Sequence, residues 1–179
     1  MIVELKCYPY HFVQRVDDPS ISQNSFLKYK LLYSFKSPKS HQWYWVWVEV
    51  YMHNMYAVKF HLKSHRDSRN KYSIMTGLNE PRAVVNTCVA IMLEIAAIDS
   101  HASFGFIGAA SESEDEANTK RFRFYKRLMA TYFSKAEFRH FGDTEKSTYI
   151  LIRHKELAEH PTLIEDIEQG FKATFDYFD

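Results

Sequence analysis

Cysteine, glycine and proline are scarce in this chain of 179 residues, which holds two, five and five of them. Cys7 and Cys88 cannot build a disulfide framework, and neither lies at metal-ligand spacing from a partner. That usage suits a reducing compartment. The opening "MIVELKCYPYHF" has no basic segment leading into an apolar run, so no signal peptide is expected and a soluble cytoplasmic protein is. The longest apolar run, around Cys88 to Leu93, is too short to cross a bilayer, which excludes a membrane partner at this level. Charge of one sign is also lacking. A formal net charge of +1 leaves no global field to draw the chain to nucleic acid. No H-E-x-x-H, P-loop or dinucleotide fingerprint occurs, and Ser103 and Ser111 lack a G-x-S-x-G context. Nine histidines invite a metal. Yet His61 and His65 fall on a strand and its exit, where they would not converge, and His154 and His160 lack zinc-protease spacing, so no metal is expected.

What the chain has in abundance is rings. Aromatics make up 16% of it, within a hydrophobic share of 46% and a charged share of 25% that suit a globular protein. With no repeat and no low-complexity linker, residues 1–179 are expected to form one domain.

Strands are expected at "MIVEL" and at Phe26 to Phe35. A hairpin then pairs "WYWVWVEVY" with "YAVKFHLK" about the loop His53 to Met55. In that register Val50, Val48 and Val46 oppose Val58, Phe60 and Leu62, while Glu49 opposes Lys59 and Trp45 opposes Lys63. "YSIMTG", Tyr72 to Gly77, reads as a further strand. Asn79 is expected to cap the next helix, with Pro81 in its first turn and Val84, Val85, Cys88, Ile91, Met92 and Ile95 as its buried stripe. Burial in that stripe makes Cys88 unreactive. "ASFGFIGAA", Ala102 to Ala110, then reads as a mid-sheet strand, so the unit from Tyr72 to Ala110 predicts a right-handed parallel crossover. A second helix, a hairpin around "GDTEK" and a last helix after the capping-box pair Thr162 and Glu165 complete the order. The class is α/β: a central mixed sheet with an antiparallel meander, a parallel strand-helix-strand crossover and a C-terminal hairpin plus helix.

The second helix, in "EANTKRFRFYKRLMATYF", interleaves basic and aromatic residues. On a helical wheel Phe122, Tyr125, Leu128, Met129, Tyr132 and Phe133 share one arc, and Lys120, Arg123, Lys126 and Arg127 lie opposite. The basic residues are thus a solvated face rather than a nucleic-acid patch. Arg121 breaks the pattern by projecting on the apolar arc one turn before Tyr125, and a buried guanidinium needs an acceptor.

Asn118, Phe124, Tyr125 and Leu128 sit at the spacing of N-x-x-A-x-x-F-Y-x-x-L-G-F, and here the chain resembles the GCN5-related N-acetyltransferase (GNAT) superfamily from about Phe26 to His154. The resemblance implies a GNAT-like fold, acetyl-CoA as cofactor and transfer of an acyl group to an amine. It implies Tyr125 as the catalytic acid to the leaving thiolate and Asn118 among the residues holding the acyl-CoA. The family's R/Q-x-x-G-x-G/A phosphate loop is replaced by "TGLNEPRA", where Pro81 removes an N–H donor and Glu80 brings a like charge. Arg121 and Arg82 are the cations best placed to stand in for that cradle. The segment ahead of the meander is also too short for the family's usual pair of helices.

Two other features carry expectations. "HRDSRNK", His65 to Lys71, is a basic connection or an anion contact. Trp43, Trp45 and Trp47 share one strand face. They are either covered by the N-terminal segment or the C-terminal helix, or they form a surface for a protein partner or a homodimer. The alternative to an acyltransferase is therefore a non-catalytic GNAT-like protein acting through that face.

Overall fold

The structure, a computed structural model, describes residues 4–72, 77–107, 115 and 117–174. Seven strands form one mixed sheet: β1 (Tyr10–Val16), β2 (Leu27–Lys36), β3 (Trp43–Tyr51), β4 (Met55–Leu62), β5 (Ser103–Ile107), β6 (Phe138–Asp143) and β7 (Thr148–Arg153). Their order across the sheet is β1-β2-β3-β4-β5-β7-β6. Only β4 and β5 run parallel; the other pairs are antiparallel. Among the described residues four helices join them: α1 (Pro81–Ile98), α2 (Lys120–Tyr132), α3 (His154–Glu159) and α4 (Leu163–Thr174).

Alternation in the strands divides the core between two faces. Val46, Val48, Phe104 and Leu151 point to the face covered by α1 and α2, where Val89, Ile91, Phe122 and Phe133 meet them. Tyr51, Met55 and Ile152 point to the other face, where Leu163, Ile167 and Phe171 of α4 close over them. α1 is long and apolar enough to cross a membrane by composition, but its stripe is packed in this core. Two of its polar residues, Asn86 and Thr87, are buried as well. The N-terminal segment straps across it, with Tyr8 N–H on Thr87 Oγ1 at 2.9 Å and Asn86 Nδ2 on Lys6 O at 2.9 Å.

Several sequence expectations are corrected. No strand includes Glu4 or Leu5 of "MIVEL", and Met1 to Val3 lie outside the described residues; the first strand is β1. The β3–β4 register is displaced by two residues, with Val50, Val48 and Val46 opposite Tyr56, Val58 and Phe60. The loop is Met52–Asn54, in which His53 and Asn54 take the left-handed conformation (φ 64° and 53°), and this frees Met55 to be fully buried in the second core. A two-residue slip preserves the apolar face, which is why the alternation alone could not exclude it. Glu49 thus lies diagonal to Lys59, yet the ion pair forms at 2.7 Å. The parallel neighbour of β5 is β4, so the crossover runs β4–α1–β5. The expected strand Tyr72–Gly77 falls mostly on residues outside the described set. At the start of α1 the capping position is Glu80 rather than Asn79, whose φ is 53°. Before α4, Thr162 Oγ1 bonds Asp166 Oδ2 at 3.2 Å instead of forming the box with Glu165.

Candidate functional site at the fork of two parallel strands

The parallel pair is short. Met55, Tyr56 and Ala57 meet Ser103, Phe104 and Gly105, and pairing stops there although β4 runs on to Leu62 and β5 to Ile107. Beyond that point β4 stays with β3, and β5 stays with β7. The last pair, Ala57 and Gly105, presents the least side-chain bulk on either strand. The strands part past it, and a cavity of about 290 Å³ opens at the fork.

Its walls come from both faces of the sheet. α1 contributes Val85, Cys88, Val89 and Met92; Tyr51, Ile150 and Phe171 line it from the α4 side. Polar groups are few: Lys59, Tyr72, Thr148, Arg121 and Tyr125. An apolar cleft with a handful of converging polar groups is the usual form of a small-molecule site.

Arg121 and Tyr125 reach the cavity because they stand one turn apart on the inner arc of α2. Arg121 is half-buried and donates from Nη1 to the carbonyl of Tyr72. The opposite arc, Lys120, Arg123, Lys126 and Arg127, is exposed. The Tyr125 ring meets Phe106 edge-on at 5.0 Å, and among the described residues its hydroxyl has no hydrogen-bond partner. Burial raises the phenol above its ordinary pKa, with the Arg121 charge pulling the other way and Cys88 adding to the rise. Tyr125 therefore stays a protonated phenol at neutral pH, and the same rise makes it a weaker acid. The Cys88 thiol beside it is pushed up by burial alone against its own helix backbone, which keeps it protonated and unreactive.

Asn118 and Arg82 do not line the cavity, and both are exposed. Asn118 has φ 50° and precedes the true capping residue, Thr119, which accepts from Phe122 N at 3.0 Å. The helix thus begins after the asparagine and turns it outward. Arg82 lies in the first turn of α1, behind Pro81. Glu80 does not point along the helix axis into open space. Its buried carboxylate accepts from Ser37 Oγ, from Ser40 Oγ and Tyr44 OH at 2.7 Å each, and from Tyr8 OH at 3.2 Å. Burial would raise its pKa, but these bonds outweigh it and hold the carboxyl below the usual range.

A second polar group flanks the α4 side of the fork. Glu49 is buried, paired with Lys59 and bonded by the Tyr51 hydroxyl. Burial opposes its charge; Lys59, Tyr51 and Lys30 together overcome that and lower its pKa. Sequence reading found the Glu49–Lys59 pair but not its place beside a cavity, nor Tyr72 and Cys88 as lining residues, since those depend on where the strands separate. Among the described residues no three His, Cys, Asp or Glu side chains gather as a metal would need.

No family model, curated protein or solved structure matches this chain.

The tryptophan face is bordered by its strand neighbours, with the His11 ring edge-on to Trp43 at 6.2 Å. Trp45 packs against Trp47 and His61, with Lys63 Nζ 5.7 Å above its ring. Trp47 donates to His61 Nε2 at 3.3 Å, and His61 Nδ1 bonds Leu62 O at 2.7 Å, which fixes the imidazole as the neutral Nδ1–H tautomer. The N-terminal segment lies on α1 instead, and α4 covers the Tyr51 end of the face. Trp43 stays 42% exposed.

Proposed function

We propose that this chain is an acyl-CoA-dependent N-acyltransferase of GNAT-like architecture, with its acyl-transfer site at the β4–β5 fork. One observation carries this reading: two parallel central strands part after Ala57 and Gly105, and a half-buried tyrosine, Tyr125, lines the gap with a hydroxyl that has no hydrogen-bond partner among the described residues. Such a hydroxyl is free to bond a ligand in the cleft. The strand order, with β7 between β5 and β6, supports the same architecture.

An acyl thioester would supply an activated carbonyl carbon and a thiolate leaving group. The acceptor amine would attack that carbon, the C–S bond would break as the C–N bond forms, Tyr125 would give its proton to the departing thiolate, and the proton shed by the amine nitrogen would restore the phenol. Arg121 adds positive charge on the same wall and, through Tyr72, fixes that end of the cleft. The phosphate end fits less well. Pro81 carries no N–H, and Asn118 and Arg82 stand outside the cavity, so the diphosphate would rest on exposed cations rather than on a glycine-rich cradle. The acceptor is an amine in this reading.

Thermal unfolding with CoA and acetyl-CoA tests it. Ligand at a hundred times its dissociation constant stabilises by about 2.7 kcal/mol, which for a chain of this size raises Tm by about 5–10 °C. No shift at millimolar ligand contradicts the proposal.

A second reading, a partner or second copy docking on the sheet edge, is favoured by the exposure of Phe12 (54%) and Val13 (44%) on edge strand β1, near Trp43. Sedimentation at rising concentration tests it: a dimer dispersed by Phe12→Lys supports it, and a monomer throughout excludes the second-copy form.

A further inference from the structure

The fork cavity is much larger than an acetyl group needs. A methyl or methylene takes up about the volume of one water, ~30 Å³, so three heavy atoms fill about a third of the roughly 290 Å³ present. The remaining space is walled by Val85, Val89, Met92 and Met129, which offer a ligand no hydrogen bond. Phe171 and Ile150 add apolar lining from the α4 side. The polar lining residues Lys59, Tyr72, Thr148, Arg121 and Tyr125 can serve the head of a ligand, and the apolar walls can serve only its body.

We infer that the acyl group taken at the fork is a hydrocarbon chain of medium length, about six to ten carbons, rather than acetyl. This rests on the acyltransferase reading for its carrier but not for its chain. The size range follows from the cavity volume divided by the methylene volume, which allows roughly nine chain atoms. The head would sit at the Tyr72 end. There Lys59 and Lys71 place their ammonium groups 5.6 and 5.4 Å from the Tyr72 ring centre, and Arg121 holds the Tyr72 carbonyl. Positive charge at one end and apolar walls at the other suit an acyl chain attached to an anionic carrier. Among the described residues none of the lining side chains is acidic, and Glu49, which flanks the fork, is paired with Lys59.

The experiment is a calorimetric titration of the intact protein with CoA, acetyl-CoA, butyryl-CoA, octanoyl-CoA and free octanoate. Each methylene buried in an apolar site is worth up to about fourfold in affinity. Binding is expected to tighten from acetyl to butyryl to octanoyl, by at least about tenfold overall, with octanoate binding measurably on its own. Equal affinity for CoA and all three thioesters overturns the chain inference and leaves the acyltransferase reading standing. Binding of octanoate and octanoyl-CoA alike, with none for CoA or acetyl-CoA, supports the chain pocket and removes CoA as its carrier. No binding by any of the five overturns both.

Discussion

Tyr125, half-buried, and Glu80, buried, are two polar side chains with opposite circumstances, and each makes a prediction at the scale of a single residue. The Tyr125 hydroxyl has no partner among the described residues, so removing it should cost the fold little. Tyr125→Phe is expected to leave stability within about 1 kcal/mol while lowering acyl transfer by a factor of about 10²–10⁴. Urea unfolding and a thiol-release assay read the two effects separately; a large stability loss would make the tyrosine structural. Glu80 is the reverse, accepting from four hydroxyls drawn from the N-terminal segment, the β2–β3 turn and β3. Glu80→Ala should destabilise by about 3 kcal/mol. Its pKa is lowered by folding, so between the folded and unfolded values the unfolded chain binds the extra proton. The stability it contributes is therefore complete above the ordinary glutamate value of about 4.3 and is lost as pH falls through the folded value. Acid unfolding in that window should shift measurably in Glu80→Gln. A wild-type curve that the substitution leaves unchanged would contradict this. Little of the Glu80 cluster was legible in the sequence, because its donors come from residues 8, 37, 40 and 44, and no local pattern joins them. Arg121 and Tyr125 were legible, since a helical wheel depends only on neighbours along one helix.

Among the elements, α2 and the β3–β4 hairpin show where local pattern suffices and where it stops. The wheel of α2 assigned its buried and exposed faces, but the stretch read as helical began at Glu116 and took in Asn118, which the Thr119 cap leaves outside. The hairpin's alternation assigned its faces but not its register, because period-2 patterns repeat under a two-residue slip. The turn settled it, through left-handed His53 and Asn54 and the burial of Met55. The strand pair β3–β4 also binds His61 as a neutral imidazole. Burial lowers its pKa, with Lys71 and His65 adding to the effect against the Leu62 bond. Proton NMR should show His61 titrating below 6.5, and the stability it gives should fade as pH falls below that value. Titration at or above 6.5 would mean the Trp47 bond does not persist. α4 depends on a close approach instead. A Cβ at Gly170 would overlap the Phe26 ring, which is itself packed between Tyr51 and Phe171. Gly170→Ala gains up to ~1 kcal/mol in helix propensity but is expected to lose about 1–3 kcal/mol from overpacking. A higher urea midpoint for the variant would show that Phe26 yields freely.

For the molecule as a whole, the class was legible and the position of the crossover was not. A meander, a strand-helix-strand unit and a closing hairpin follow from periodicity, and all three are present. Which strand neighbours β5 is decided across more than forty residues, by the parallel pairing of Met55 to Ala57 with Ser103 to Gly105. That pairing also creates the cavity, so the candidate site was hidden for the same reason as the topology. On the proposed function, ligand binds where these strands part. Hydrogen exchange read by mass spectrometry, with and without saturating acyl-CoA, decides whether it does. Protection is expected in β4 after Ala57, in β5 from Gly105 onward and in α2 around Arg121 to Met129, with β1 and β2 unchanged. Protection confined to β1, β2 and the Trp43 edge, or no change anywhere at millimolar ligand, would contradict it.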